Sequence, residues 1–554
     1  PQFGPNSTSA PNDAYLIYGD AADPFNSQFD LANLQSADGI KFVESVLGNG
    51  GSGSVSSLGD INADGIDDVI IAFTDGVNPG AAYIVFGSHG AVPTDLTTLN
   101  GSTGFKLVGV NDYYLGHTVA GGGDFNGDGI KDFVVSDYLG SLSETPQVIF
   151  GHAGAFSSSM STSSLDGTNG FTITGTGLAY GDYLNQTLSI GGDVNGDGYA
   201  DLVIGAENAP YPNFAGPGYV LFGHAGAFNA QVDVSKLDGT NGFEIDDAIN
   251  DRLPGCSVSI VGDVNGDGYA DILIGGAATN SSVGDSDPGH AYLIYGKAAG
   301  FSAVVDLSHL SASDGFIIDG HAKGDLAGWS VSGAGDIDGD GLADLLVSSP
   351  WTNKSGLGET QVIFGKADAS AISGTMFGDA LNGTFSANVL IGGQGNDTIN
   401  GNGGADSIHG GSGDDHIHVS DNTFFRIDGG SGMDTLYLDF AGAIDFGNLD
   451  GNAATSDRGK ISNIETIDVT NGQNNALTLH LADVLDLDVR DTNVGGKASL
   501  DNTLKIDGNA GDTLHLSTAD GWSAADTSTL AGYAIYTHQA VHVAVDTDIA
   551  VTVS

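Results

Sequence analysis

"LGDINADGIDDVIIAF", residues 58–73, carries carboxylates at Asp60, Asp64, Asp67 and Asp68, sets Asn62 among them, and turns apolar within one residue. A helix–loop–helix calcium loop starts the same way, with oxygen ligands at positions 1, 3, 5, 7, 9 and 12 and Gly at position 6 for the sharp turn. Asp60, Asn62, Asp64 and Gly65 fill positions 1, 3, 5 and 6. Position 12 breaks the likeness: a bidentate Glu belongs there, and Ile71 stands in its place. An acid sits at position 9, Asp68, so the loop closes its cage early and runs directly into a strand of β-branched residues. With the carbonyl of Ile66 at position 7, five hard oxygen ligands converge.

The pattern occurs five times. The further ligand sets, in the same order of positions 1, 3, 5, 7 and 9, begin with Asp124, Asn126, Asp128, Ile130 and Asp132. Then come Asp193, Asn195, Asp197, Tyr199 and Asp201, followed by Asp263, Asn265, Asp267, Tyr269 and Asp271. The last set is Asp336, Asp338, Asp340, Leu342 and Asp344. Position 12 is Ile71, Val135, Ile204, Ile274 or Val347, apolar each time. Asp, Asn and Gly also favour plain turns, so one copy would not separate turn chemistry from metal binding. Five copies that keep the ninth acid point to calcium sites set between strands.

The first aspartates are 64, 69, 70 and 73 residues apart, and two other signatures keep that rhythm. One is an apolar run ending in aromatic-Gly, such as "YIVFG" (83–87) and "YVLFG" (219–223); the other is a Gly-apolar start at Gly39, Gly104, Gly170, Gly242 and Gly315. Each unit therefore reads as four short strands, and a fixed period of this length suits propeller blades. No segment sustains a 3.6-residue apolar period.

These units resemble the FG-GAP repeats of the integrin α-subunit propeller, the matching stretches being "LGHTVAGGGDFNGDGIKDFVVSD", "SVSIVGDVNGDGYADILIGG" and "AGWSVSGAGDIDGDGLADLLVSSP". The resemblance covers about residues 12–366 and implies a β-propeller with calcium in loops on one face. Integrin propellers have seven blades, whereas this chain shows five full repeats. The extra strands at 15–19 and 39–45 would close the ring against strands near 329–365 or belong to upstream repeats.

From Gly374 the period changes to nine. Position 6 is Asp379, Asn388, Asp397, Asp406 and Asp415, and position 8 is Leu381, Leu390, Ile399, Ile408 and Ile417. An isolated further copy, "GGSGMDTLY", carries Asp434. Flexible linkers keep no apolar residue at every ninth place. The segments resemble the RTX nonapeptide of calcium-binding parallel β-rolls, in which six residues turn around an ion and three form a minimal strand. Successive turns alternate sides, so Asp397 and Asp415, two repeats apart, are placed to share an ion. The expected architecture is all-β: an FG-GAP propeller over 1–366, an RTX roll over 367–440, and a β-rich domain over 441–554. By its likeness to RTX proteins, the last domain would carry an uncleaved type I secretion signal. About five Ca2+ ions are expected in the propeller and a few in the roll.

Composition narrows the function. Acids outnumber bases 70 to 15, a formal net charge of −55, so nucleic acid is not an expected partner. The longest apolar runs, about six residues, fall far short of the roughly 20 needed for a membrane helix. Gly numbers 88, more than twice the usual share, which fits many turns. Cys256 is the only cysteine and allows no intrachain disulfide. The opening stretch "PQFGPNSTSAPNDAY" has no cleavable leader pattern. No GxSxG, HExxH or phosphate loop appears, and His89, His152 and His224 ride on the repeat as turn residues. The expectation is a non-enzymatic, secreted, calcium-stabilised surface or matrix protein. It would fold on extracellular calcium and adhere through the propeller to a protein or glycan. The alternatives are a non-catalytic part of a secreted hydrolase or lyase, a lectin, and a self-assembling surface-layer or filament subunit.

Overall fold

The computed structural model describes residues 12–18, 31–36, 38–44, 52–74, 81–88, 90, 92–109, 115–138, 144–175, 187–206, 217–246, 255–276, 288–298, 300–350, 358–449, 459–487, 503–523, 530–539 and 541–554. Most of the chain between the extra strands at 15–19 and 39–45 lies outside them. Strands dominate, and the α-helix among the described residues is the short Leu481–Asp486. No helix among them is long and apolar enough to cross a membrane. The chain forms two compact units: Pro1–Gly122 with Asp132–Asp182 and Ala227–Asp233, and Gly123–Lys131 with Tyr183–Gly226 and Val234–Ser554.

In the first unit, Ser52–Gly59, Asp68–Thr74, Ala81–Val85 and Gly104–Val108 form an antiparallel meander. Ser159–Ser161 adds a short parallel fifth strand. Val119–Gly123, Asp132–Tyr138, Glu144–Ile149, Gly170–Thr174 and Gln231–Asp233 repeat that order. The expected four-stranded blade is therefore present, with a short parallel edge strand that the sequence signatures did not reveal. Asn12–Ile17 and Gly39–Glu44 make a separate two-stranded sheet. Leu58, Ile70 and Ile84 of one blade pack with Phe133, Val135 and Ile149 of the next.

In the second unit, Thr187–Ile190, Leu202–Gly205, Gly218–Leu221 and Gly242–Asp246 form the third blade, edged by Val304–Asp306. Ser257–Gly262, Asp271–Gly276, His290–Ile294 and Gly315–Asp319 form the fourth. Middle strands such as Asp271–Gly276 are buried throughout because neighbouring blades cover both faces. This is why they read as unbroken apolar runs rather than alternating ones. The fifth sheet has three strands, Ser330–Gly335, Asp344–Ser349 and Glu359–Ile363. The outermost is largely exposed, because the chain enters the roll where a fourth strand would otherwise form.

Two signatures acquire physical causes. The Gly of "Gly-Asp" before the loop sits at a bulge: Gly59, Gly262 and Gly335 have φ of +66°, +87° and +66°. A left-handed residue there turns the strand into the loop, which only Gly does at little cost. The aromatic of the third strand joins one on the fourth strand and one from the connection that follows the next blade's third strand. Phe86, Phe105 and Phe156 form such a trio, as do Phe222, Phe243 and Phe301, with Phe243 and Phe301 stacked at 4.5 Å.

The roll is a parallel two-sheet coil. Ile372–Ser373, Val389–Gln394, Ser407–Ser412, Arg426–Asp428 and Ile461–Ser462 form one sheet. Ala380–Asn382, Thr398–Asn400, His416–Val419, Thr435–Leu438, Thr466–Asp468, Thr503–Asp507 and Val541–Asp546 run in parallel along the other, closed by antiparallel Tyr533–His538. The ladder thus continues past residue 440. Leu390, Ile399, Ile408 and Ile417 are fully buried inside it, each burial worth about 1.5–3 kcal/mol.

Candidate metal centres

Each propeller loop is organised around its first aspartate. Asp60 accepts from the backbone N–H of Asn62, Asp64 and Gly65 at 3.2, 3.1 and 2.7 Å. Asp193 takes those of Gly196, Asp197 and Gly198 at 2.6, 3.1 and 2.8 Å, and Asp124, Asp263 and Asp336 repeat the set. The carboxylate thereby draws the turn tight. In the third and fourth loops the position-3 amide bonds the position-5 acid, Asn195 to Asp197 at 2.9 Å and Asn265 to Asp267 at 3.0 Å. In the fifth, oxygens of Asp336, Asp338 and Asp340 lie within 4.8 Å of one another.

The ninth residue does more than the sequence reading assigned it. Asp68, Asp132, Asp201, Asp271 and Asp344 are fully buried. Each accepts from the N–H of the Gly that ends the third strand, namely Gly87, Gly151, Gly223, Gly296 and Gly365. Asp68, Asp201, Asp271 and Asp344 also accept from the loop's second residue, Ile61, Val194, Val264 and Ile337. So the acid ties loop to blade, and the loop carboxylates lie near enough to repel it at Asp68, Asp201 and Asp271. The aromatic-Gly signature marks that tie.

Within the second unit the loops also join one another. The N–H groups of Ala200, Ala270 and Ala343, at position 8, donate to the carbonyls of Asp124, Asp193 and Asp263 in the preceding loops at 3.0, 2.9 and 2.9 Å. The rings of Tyr199 and Tyr269 lie over Gly127 and Gly196, where a Cβ would be 2.2 and 2.4 Å from ring carbons.

The charges are unfavourable as they stand. Burial, with repulsion from Asp60 and Asp64, pushes Asp68 up to about 8 against two backbone hydrogen bonds. Burial and then Asp193 push Asp197 to about 6, and burial and then Asp263 do the same to Asp267. Asp201 and Asp271 are raised well above the usual range, chiefly by burial. Asp338 Oδ1 is buried without a hydrogen-bond partner. Clustered hard oxygens in this state fit a divalent cation.

In the roll, one column of carboxylates shares a geometry. Asp397, Asp415 and Asp434 bind through Oδ1 the N–H of Asp379, Asp397 and Asp415, at 2.6, 2.7 and 2.8 Å. Their Oδ2 atoms are buried and unpartnered, each beside a glycine of its own turn, Gly392, Gly410 or Gly429. Three open oxygens in glycine-lined turns fit metal ligands. Asp379 differs, because Thr375 fills its Oδ2 through N and Oγ1, both at 2.7 Å. Thr384 occupies Asn388 likewise. Asp406 lies on the opposite side, bonded to the Asn388 N–H at 2.8 Å and pushed by burial to about 6.

Sequence reading missed Glu465. Its Oε2 accepts from the Asp434 N–H at 2.7 Å, continuing the column by one more turn. The turn before it is cut to Asn463–Ile464, which hides the nine-residue period, and Asn463 takes the positive φ of +53°. The usable signal is the acid–Thr–apolar triplet, "DTI" at 397, "DTL" at 434 and "ETI" at 465. Cys256 is half-buried, its thiol directed at the carbonyls of Gly275 and Gly328.

Comparison with known proteins agrees with this geometry. A model of the FG-GAP repeat matches residues 185–221 and 327–368, and a model of the RTX calcium-binding nonapeptide repeat matches residues 382–417. Integrin alpha-V of Gallus gallus is 30% identical over 249 residues, 43% of this chain and 20% of that protein. Integrin alpha-7 of Mus musculus is 31% identical over 163 residues, 28% of this chain and 11% of the relative. Phosphatidylinositol-glycan-specific phospholipase D of Mus musculus is 30% identical over 162 residues, 29% of this chain and 17% of the enzyme. The chain thus spans a fifth or less of the length of these relatives.

Proposed function

We propose that this chain, built of FG-GAP repeats and RTX nonapeptide repeats, is a secreted calcium-dependent surface or matrix protein that adheres through its propeller to an extracellular protein or glycan. The observation that carries the calcium part is the set of buried, unpartnered carboxylate oxygens at Asp338, Asp397, Asp415 and Asp434. Bound Ca2+ would supply the positive charge that the aspartate clusters lack. The propeller candidates are Asp60, Asp124, Asp193, Asp263 and Asp336 with their partners at positions 3, 5, 7 and 9. At −55 the chain repels itself until cations arrive, and extracellular calcium is plentiful where cytosolic calcium is scarce. A site held at 100 times its Kd adds about 2.7 kcal/mol to folding, so several sites decide between folded and unfolded. Circular dichroism in EDTA is expected to give a disordered spectrum that becomes β-rich on adding calcium; superimposable spectra would remove the proposal. Adhesion is tested by binding to immobilised matrix proteins and a glycan array, with calcium and with EDTA.

A second reading, the non-catalytic part of a secreted hydrolase, is favoured by the match to a phospholipase D. This reading needs a catalytic domain that these residues do not supply, so hydrolysis of a glycosylphosphatidylinositol substrate by the purified chain itself would refute the non-catalytic assignment.

A further inference from the structure

Between residues 367 and 440 the roll contains a single Lys or Arg, Arg426, and it is turned toward the propeller loops. Its Nη1 donates to the Gly268 carbonyl at 3.4 Å, and its charge works against the burial that raises Asp193. Beside it, Phe425 lies against Tyr269 with ring centroids 4.7 Å apart. On the neighbouring strands Gln394 donates to the carbonyl of Asp338, and Ser412 Oγ donates to that of Gly339 at 3.4 Å. None of these acceptors is the position-7 carbonyl, so the roll grips the loops without taking a metal position.

His409 reaches a ligand itself. Its Nε2 is 3.3 Å from Asp263 Oδ2 and 3.2 Å from Ser407 Oγ. The His409 side chain is 5% exposed and that of Asp263 11%. A carboxylate oxygen only accepts, so Nε2 carries the proton. Both oxygens share that one nitrogen, so the trio is not a Ser–His–Asp relay, which uses opposite nitrogens of the ring. Burial alone pushes the Asp263 carboxyl up, but its hydrogen bonds, first that from His409, outweigh it and hold the group below its usual range. Asp60 and Asp193, at the same loop position, are raised.

We propose that His409 is a positioning residue for the metal loop at Asp263: supplied by the roll, it orients that carboxylate, so that a folded roll raises the loop's affinity for a divalent cation. The inference rests on the loops being metal sites. By linkage, metal in the loop favours the docked roll by the same factor. Partners that fix a ligand's orientation are typically worth about 10–100-fold in metal affinity.

The test uses the full chain stripped of calcium and titrated with terbium(III), whose luminescence is excited through Tyr269, the position-7 residue of this loop; Tyr269→Phe identifies the signal. His409→Ala is expected to move the half-saturation of one component about 10–100-fold upward. His409→Gln, which keeps an N–H donor, should recover most of that loss. Circular dichroism at saturating calcium checks that each variant is folded. Unchanged half-saturation in folded His409→Ala would overturn the inference. Should His409→Ala unfold the roll, folded His409→Gln decides: near-native affinity supports the assignment and a full loss refutes it. Absence of terbium binding by the unaltered chain would overturn the loop reading itself.

Discussion

At the scale of single residues, one aspartate per loop sets the backbone and a second ties it to the blade. Asp193 holds three N–H groups in a tight turn, and those of Gly196 and Gly198 take their acceptor from it while that of Asp197 also reaches Asn195 Oδ1. Hydrogen bonds to a charged acceptor are worth about 1.5–3 kcal/mol. Asp193→Ala is therefore expected to lose about 3 kcal/mol or more in calcium and one equivalent of bound ion, read by urea unfolding and native mass spectrometry. Glycines are equally specific. Gly104 has φ +129°, and a Cβ there would lie 2.1 Å from the Ile84 carbonyl oxygen. Gly104→Ala should cost about 1–3 kcal/mol even with every metal site intact, which a urea melt in saturating calcium measures. The loop ligands were legible because they fall within nine residues of one another. The Asp-to-Gly tie was not, because Asp68 and Gly87 are separated by 19 residues and a whole strand pair.

At the scale of elements, the blade is held by its aromatic trio and the roll by its column of acids. Phe301→Ala leaves Phe222 and Phe243 without their third ring and should destabilise by about 3–5 kcal/mol, with a lower urea midpoint and unchanged calcium stoichiometry. Glu465→Gln tests the extension of the column: it retains an acceptor for the Asp434 N–H but removes the charge beside Asp434. If Glu465 serves the same ion as Asp434, isothermal calorimetry should show one weakened site. The nonapeptide was legible through its apolar eighth residue, and the continuation past 440 was not. Pairings such as Thr435–Leu438 with Thr466–Asp468 and then Thr503–Asp507 skip variable lengths of chain, so periodicity fades while the ladder persists.

At the scale of the whole molecule, charge decides when the chain is folded. Without metal, burial holds Asp415 at about 6, Asp68 at about 8 and Asp434 at about 9, far above the value near 4 of an unfolded aspartate. The folded state therefore keeps protons that the unfolded chain has released. The stability this contributes is complete below about pH 4 and is lost as pH rises through 6 to 9. In EDTA any β-rich circular dichroism signal that protonation retains near pH 4–5 is expected to be lost as pH rises to 8, whereas in saturating calcium, which displaces those protons, the signal should hold level. A β-rich signal in EDTA that grows with pH would contradict the assignment.

The amino-acid order alone determined the repeat units, their strands, the loop ligands and the nonapeptide turns, because each is a local pattern whose chemistry closes within a few residues. Only the tertiary structure decided which carboxylate oxygens remain open, which are filled by Thr375 or Thr384, and how His409 and Arg426 meet loops some 150 residues away. Those outcomes depend on how sheets and coils pack, and packing brings together side chains whose separation along the chain carries no periodic mark.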